Sequence, residues 1–247
     1  MDFQQLSAKF LYFEGPFPKE ALIEAIENRQ QVIPDLLQVI SKVTENSQHV
    51  IDHEDYTLSS YAMYLLAQFR EKKAYQAIID FFSMPDEKAM EIVGDMYVED
   101  LGRILASVSG GDTSLLQQLI ENPEAQELIR ASALEALMVL VRVGEKTRDE
   151  IMAYFKSLFE GKLERRNSMV WVSLVSCCVD LYPEEVLEEI EDAFDDELVD
   201  EFLIERAEAN DALQLEKDRA LENFFQGSQY SLIEDVVQEM AEMAAYS

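Results

Sequence analysis

The amino-acid sequence predicts an all-α protein in which short helix pairs stack into an α-α superhelix. Three observations carry that expectation. Apolar residues recur at i, i+3, i+4 and i+7 in nearly every segment between turn signals, and no segment sustains the period-two alternation of a strand. Four helix pairs superimpose as weak repeats whose first helices are aligned at Leu65, Ile104, Leu137 and Leu174, at intervals of 39, 33 and 37 residues. That spacing lies near the period of HEAT and TPR arrays, and the TPR signature residues are missing, so the repeats are HEAT-like. Glycine is scarce, with 8 in the chain, and no long Ser/Gly tract marks a flexible linker.

Taken in order, helices are expected near 18–29, 34–46, 57–71, 74–83, 86–93, 97–109, 113–121, 125–143, 148–162, 167–181, 184–195, 213–225 and 231–245. Pro18, Pro34, Pro85, Pro123 and Pro183 each precede acidic or helix-forming residues and are read as helix starts, where a proline loses no hydrogen bond. Thr147-Arg148-Asp149-Glu150 is a capping box ahead of the stripe Ile151, Tyr154, Phe155, Leu158, Phe159, and Ser231-Leu232-Ile233-Glu234 repeats the device before the last helix. The stretch 195–211 is acidic and poorly periodic, which suggests a hinge. The organisation expected is a helical repeat domain over 1–200, then an acidic hinge and C-terminal helical cap over 201–247. A solenoid needs such a terminal cap, because each pair buries its apolar faces only against neighbours.

A chain of 247 residues with 48% hydrophobic content can bury a sizeable core without crosslinks. Its two cysteines, Cys177 and Cys178, are adjacent. Their Cα atoms then lie about 3.8 Å apart, inside the roughly 4.4 Å minimum for a disulfide. A reducing cytoplasm is the natural setting. The first residues show neither a basic nor an apolar targeting region, and nowhere do about 18 apolar residues run together, so neither secretion nor membrane spanning is expected. Fifty acidic against 20 basic residues give a formal charge of −30. Such a field repels phosphate backbones and anionic headgroups, which argues against nucleic acid and membrane as partners.

Several strings resemble an uncharacterised bacterial family, catalogued as domain-of-unknown-function family 1186. They are Tyr12-Phe13-Glu14-Gly15-Pro16-Phe17-Pro18, Tyr64-Leu65-Leu66-Ala67-Gln68-Phe69-Arg70-Glu71, and Glu99-Asp100-Leu101-Gly102-Arg103-Ile104-Leu105-Ala106-Ser107-Val108 followed by Gly110-Gly111-Asp112. The similarity spans roughly residues 11–200. The resemblance implies a HEAT-like helical fold and little more. Some relatives carry a C-terminal cysteine-rich zinc module like that of the SecA motor. This chain lacks those cysteines, so neither the zinc nor a link to protein export is carried over.

Candidate chemistry is sparse. His49 and His53 stand four apart beside Asp52, Glu54 and Asp55, a metal-like spacing on a helix. They fall in a connection, however, and are read as solvent-facing, with Asp55 or Thr57 capping the next helix. Glu99, Asp100 and Arg103 share one helix face, with Asp95 and Asp112 flanking it. They form either a groove site with paired carboxylates and an anion anchor, or an intrahelical salt bridge. Tyr61, Tyr64 and Gln68 line one face, followed by Arg70, and are either recognition anchors or ordinary core. Trp171 is read as packing and Cys177 as an inert buried thiol, since no histidine or basic residue neighbours it to lower its pKa. No catalytic residue, metal or cofactor is expected.

The reading that follows is a non-catalytic α-solenoid interaction module holding a protein partner. If the negative field serves recognition, that partner is basic and meets the acidic face Glu184, Glu185, Glu188, Glu189, Glu191 and Asp192. The alternative is an enzyme acting on a small molecule in a groove near Glu99, Asp100 and Arg103. A third reading is a homo-oligomer formed through Phe224, Phe225, Ile233, Val237 and Met240.

Overall fold

A computed structural model describes residues 3–11, 17–52, 57–84, 88–93 and 98–246. The protein is all-α, and the described residues contain no strand. In chain order the helices are α1 (Phe3–Ser7), α2 (Lys19–Glu27), α3 (Arg29–Glu45), α4 (Ser47–Ile51), α5 (Leu58–Gln68), α6 (Ala74–Phe82), α7 (Lys88–Val93), α8 (Val98–Ser109), α9 (Ser114–Glu121), α10 (Glu127–Arg142), α11 (Arg148–Ser157), α12 (Met169–Asp180), α13 (Leu187–Asp195), α14 (Ala207–Ala212), α15 (Lys217–Gln226) and α16 (Val236–Tyr246). A π-helical turn, Leu158–Lys162, continues α11 and breaks at Gly161, whose φ is 118°. No helix among the described residues is long and apolar enough to cross a membrane.

The chain forms two compact units, one of residues Met1–Asp112 with Leu232–Ser247, the other of Thr113–Ser231. This partition differs from the boundary expected near residue 200, because the last helix joins the first unit rather than pairing with α15.

In the first unit α3 packs on α2, α5 and α6, while α5 and α6 both pack on α8, and α16 lies on α2 and α5. Residues 58–67 of α5 are buried all round, as befits a helix walled in by neighbours. Leu65 and Leu66 are wholly enclosed, each contributing about 1.5–3 kcal/mol of apolar burial. Thr57 ties the entry of α5 to the N-terminal segment: its N–H donates to the Leu11 carbonyl at 3.1 Å and its hydroxyl to the Phe10 carbonyl at 2.9 Å. Phe10 itself stacks on Tyr61, with ring centroids 4.8 Å apart.

The second unit is centred on α10, which packs on α9, α11 and α12, and on α12, which also meets α14 and α15. Two arginines organise it. Arg130 is fully buried; its Nε donates to the Ile120 carbonyl at the end of α9, and its two terminal nitrogens reach the Glu164 carboxylate at 2.5 and 2.9 Å. Trp171, also buried, donates its indole N–H to the Glu164 carbonyl at 3.0 Å. Arg148 caps the end of α12, donating to the Leu181 and Tyr182 carbonyls at 2.6 and 2.5 Å and gripping the Glu185 carboxylate at 2.7 Å through both terminal nitrogens. Beside this guanidinium, the Glu185 carboxyl is held down to about 2.

Several sequence expectations change in detail. The Thr147–Glu150 capping box forms with both reciprocal bonds. Pro34, expected at a helix start, lies inside α3, which begins five residues earlier. Val32 explains this: it extends the buried stripe Leu36, Val39, Ile40, Val43 by one turn, and its burial offsets the hydrogen bond the proline cannot make. Pro123 and Pro183 sit in the turns before α10 and α13, Pro18 is the N-cap of α2, and Pro85 lies outside the described residues. The second capping box does not start a helix at Ser231; α16 begins at Val236, and Asp235 accepts from the Gln238 N–H at 3.1 Å. The stretch expected as a hinge buries Leu198, Val199 and Ile204 and contains α14, with Arg206 paired to Glu191 and Asp195. Within it Phe202 and Leu203 stay exposed.

Candidate functional site

Tyr64, Gln68, Arg70, Asp100 and Arg103, candidates by their spacing, are brought together in the first unit. Tyr64 and Gln68 lie one turn apart on α5, while Arg70 follows in the left-handed region, φ 54°, where the helix ends. A non-glycine residue there costs roughly 1 kcal/mol, so its retention calls for a compensating contact. The Arg70 guanidinium supplies one, donating to the Ala67 and Ile233 carbonyls at 2.7 and 2.6 Å. Across from it on α8, Asp100 accepts from the Tyr64 hydroxyl and from Arg103, both at 2.6 Å.

What these side chains hold is the chain's own C-terminal segment. Arg103 donates to the Leu232 carbonyl at 3.1 Å and pairs with Glu239 at 2.9 Å. The Ile233 N–H donates to the Ser107 hydroxyl at 3.0 Å, and the Val236 N–H to the Gln68 side-chain oxygen at 2.9 Å. Glu239 turns back to accept the Glu234 and Asp235 N–H groups. Burial by itself would lower the Arg103 pKa, but Asp100 and then Glu239 outweigh it and hold the group above its ordinary value. Between these polar clamps Ile233 and Val236 are completely buried and Met240 nearly so. Four side chains thus read backbone groups, one ion pair fixes the register, and three apolar side chains at i, i+3 and i+7 fill the surface. These are the components of segment recognition by a helical surface.

The other candidates fare differently. Tyr61 is core, stacked on Phe10. Asp95, His53 and Asp55 lie outside the described residues, as do the side chains of Glu99 and His49, although the His49 backbone belongs to α4. No cluster of three or more potential metal ligands occurs among the described residues. On the acidic helix α13 and its approach, the expected excess of carboxylates is largely matched in space: Glu185 by Arg148, Glu189 by Lys156 at 2.8 Å, Glu191 by Arg206 at 3.1 Å, and Glu184 by Lys217. Glu188 and Asp192 remain exposed, with no ion pair among the described residues. Of the proposed oligomer contacts, Phe224 is buried in the second unit and Ile233 and Met240 in the first, which leaves Phe225 exposed and Val237 half-covered.

A second feature was not legible in the sequence. In the second unit a cavity of about 320 Å³ opens between the end of α12, α14, α15 and the segment 227–230. At its wall the Tyr230 hydroxyl donates to Asp180 at 2.6 Å. Burial pushes the Asp180 carboxyl up from its ordinary value, and burial pushes that of Glu135, on α10, up to about 7. Glu135 has no hydrogen bond or ion pair among the described residues. Cys177 and Cys178 are buried, and desolvation raises both thiols, which makes them unreactive.

Comparison with known proteins agrees with the resemblance noted in the sequence. The chain is 37% identical over 241 residues to an uncharacterized protein of Chlamydia muridarum, covering 97% of this chain and 96% of that one. It is 36% identical over 241 residues to an uncharacterized protein of Chlamydia trachomatis serovar D, covering 97% and 95%. No solved structure matches the chain. The model of the family described as "Protein of unknown function (DUF1186)" matches residues 1–247, and the chain belongs to that family.

Proposed function

We propose that the protein is a non-catalytic, HEAT-like interaction module that captures a segment of a protein partner on the surface formed by α2, α5 and α8. One observation carries this reading: the surface already holds a segment, residues 232–240 of the same chain, through backbone-directed bonds from Gln68, Arg70, Arg103 and Ser107. Contacts to backbone groups are indifferent to most of the segment's side chains. A partner therefore needs only apolar residues at the places of Ile233, Val236 and Met240 and a carboxylate opposite Arg103. The enzyme reading has less support, because Asp100 and Arg103 already satisfy Tyr64, Glu239 and Leu232.

The whole-chain charge of −30 would speed encounter with a basic partner at low salt, an effect that fades as the Debye length falls from about 30 Å at 0.01 M to about 8 Å at 0.15 M. Two buried, unpaired thiols suit a cytoplasmic setting. The test is affinity capture from the native host with the full chain and with Ile233→Asp/Val236→Asp, which loosens the resident segment. A defined protein held more strongly by the variant, and released by a peptide of residues 231–246, supports the reading. Equal recovery by both chains, or no release by the peptide, contradicts it.

A further inference from the structure

The cavity between α12, α14 and α15 lies within the second unit and has the makings of a ligand site. Its volume of about 320 Å³ sits at the lower end of the roughly 300–1,000 Å³ range of small-molecule pockets. Val179, Ala212, Leu215, Ala220 and the rings of Phe224 and Tyr230 supply its apolar wall. Phe224 and Tyr230 stand with ring centroids 5.6 Å apart, giving an aromatic corner. Among the described residues Asp180 is the one carboxylate that lines it.

Its charge balance selects the ligand. Four other carboxylates of this unit find a cation, Glu164 with Arg130, Glu185 with Arg148, Glu189 with Lys156 and Glu191 with Arg206, whereas Glu135 has none among the described residues. Among the described residues Asp180 has only the neutral Tyr230 hydroxyl as a hydrogen-bond partner. The charge of Glu208 is also negative and adds to the effect of burial on Asp180, and both Asp180 and Glu135 act on the Tyr230 hydroxyl. A half-buried carboxylate beside further acids, with no cation opposite, is an unfavourable arrangement that a positively charged guest relieves. An ammonium group would meet Asp180 and could also face the aromatic rings, whose π faces attract cations.

We propose that this cavity binds a small organic amine, a free ammonium compound with a compact apolar or single-ring body, whose N–H groups donate to Asp180 and whose body packs against Leu215, Phe224 and Tyr230. An ammonium could also come from a protein lysine. The aromatic corner favours the free amine, since a lysine's unbranched chain leaves the rings uncovered.

Isothermal titration of the full-length chain in 0.15 M salt tests this with three probes: 2-phenylethylamine, its neutral isostere 2-phenylethanol, and Nα-acetyl-lysine methylamide as the stand-in for a protein lysine. The proposal expects saturable one-to-one binding of the amine, at least tenfold tighter than either other probe. Asp180→Asn, which still accepts the Tyr230 hydroxyl, should reduce the preference for amine over alcohol to below threefold. Ala220→Phe, which fills the cavity and leaves Asp180 in place, should abolish binding. Amine binding that survives both substitutions reflects general attraction to an acidic protein and overturns the proposal. So does equal affinity for the alcohol, tighter binding of the lysine analogue, or no saturable amine binding by the parent chain.

Discussion

Replacing Glu135 with glutamine should stabilise the protein at pH 8 and leave it almost unchanged at pH 4.5. The carboxyl lies on α10 between the buried Leu134 and Ala136, and burial raises its pKa from 4.5 to about 7. Because the folded pKa is the higher one, the folded state keeps its proton up to about pH 7 while the unfolded chain releases it near 4.5. The group's favourable contribution is therefore fully present below pH 4.5 and is lost as pH rises through 7. A displacement of about 2.5 pH units at about 1.36 kcal/mol each gives about 3 kcal/mol, and partial exposure of the side chain brings the expectation to about 2 kcal/mol. Glutamine has no such ionisation. Asp180, raised in the same sense, titrates in both chains and cancels in the difference, whereas the depressed carboxyls Glu164 and Glu185 contribute fully above pH 4.5 and lose that contribution only as pH falls below it. Urea unfolding of both chains at pH 5, 6, 7 and 8 reads the gap directly. A gap that is absent at pH 8, or that does not grow with pH, refutes the reasoning.

Other expectations follow from single contacts. Glu197, exposed at φ 56° just past the end of α13, should give about 0.5–1 kcal/mol of added stability when replaced by glycine, measured by denaturant midpoint. Glu164→Ala strands the fully buried Arg130 guanidinium and should cost about 3–5 kcal/mol, whereas Arg130→Met/Glu164→Gln together should cost less than the sum of the single changes, as a double-mutant cycle would read. Met240→Ala should cost about 2–3 kcal/mol through the cavity left beneath α16 and should raise amide exchange in residues 232–242 first. Cys177 and Cys178 should resist iodoacetamide at pH 8 until the chain unfolds, followed by intact mass.

Local features were legible in the sequence and long-range ones were not. The Thr147–Glu150 box and the Asp100–Arg103 pair are set by offsets of three along one helix, so spacing alone locates them. The segment that Gln68 and Arg70 hold lies more than 160 residues away, and no helical period carries that information. For the same reason the acidic run around α13 reads as uncompensated, although Arg148, Lys156 and Arg206 reach it from other elements. Pro34 misled because its local preference for a first turn was outweighed by the burial of Val32. The Asp180–Tyr230 pair, 50 residues apart, left no motif at all; its one trace in the sequence is a carboxylate in the last turn of an otherwise uncharged helix.

On the proposed reading, the α2–α5–α8 surface recognises a segment rather than merely packing its own helix. Fluorescence anisotropy of a labelled peptide of residues 231–246, titrated with full-length Ile233→Asp/Val236→Asp, tests it most directly. Saturable binding is expected, weakened at least tenfold when Arg103→Ala is added, with little binding to the parent chain, whose own segment occupies the site. Peptide binding that is absent from the loosened chain, or that is indifferent to Arg103, would contradict it.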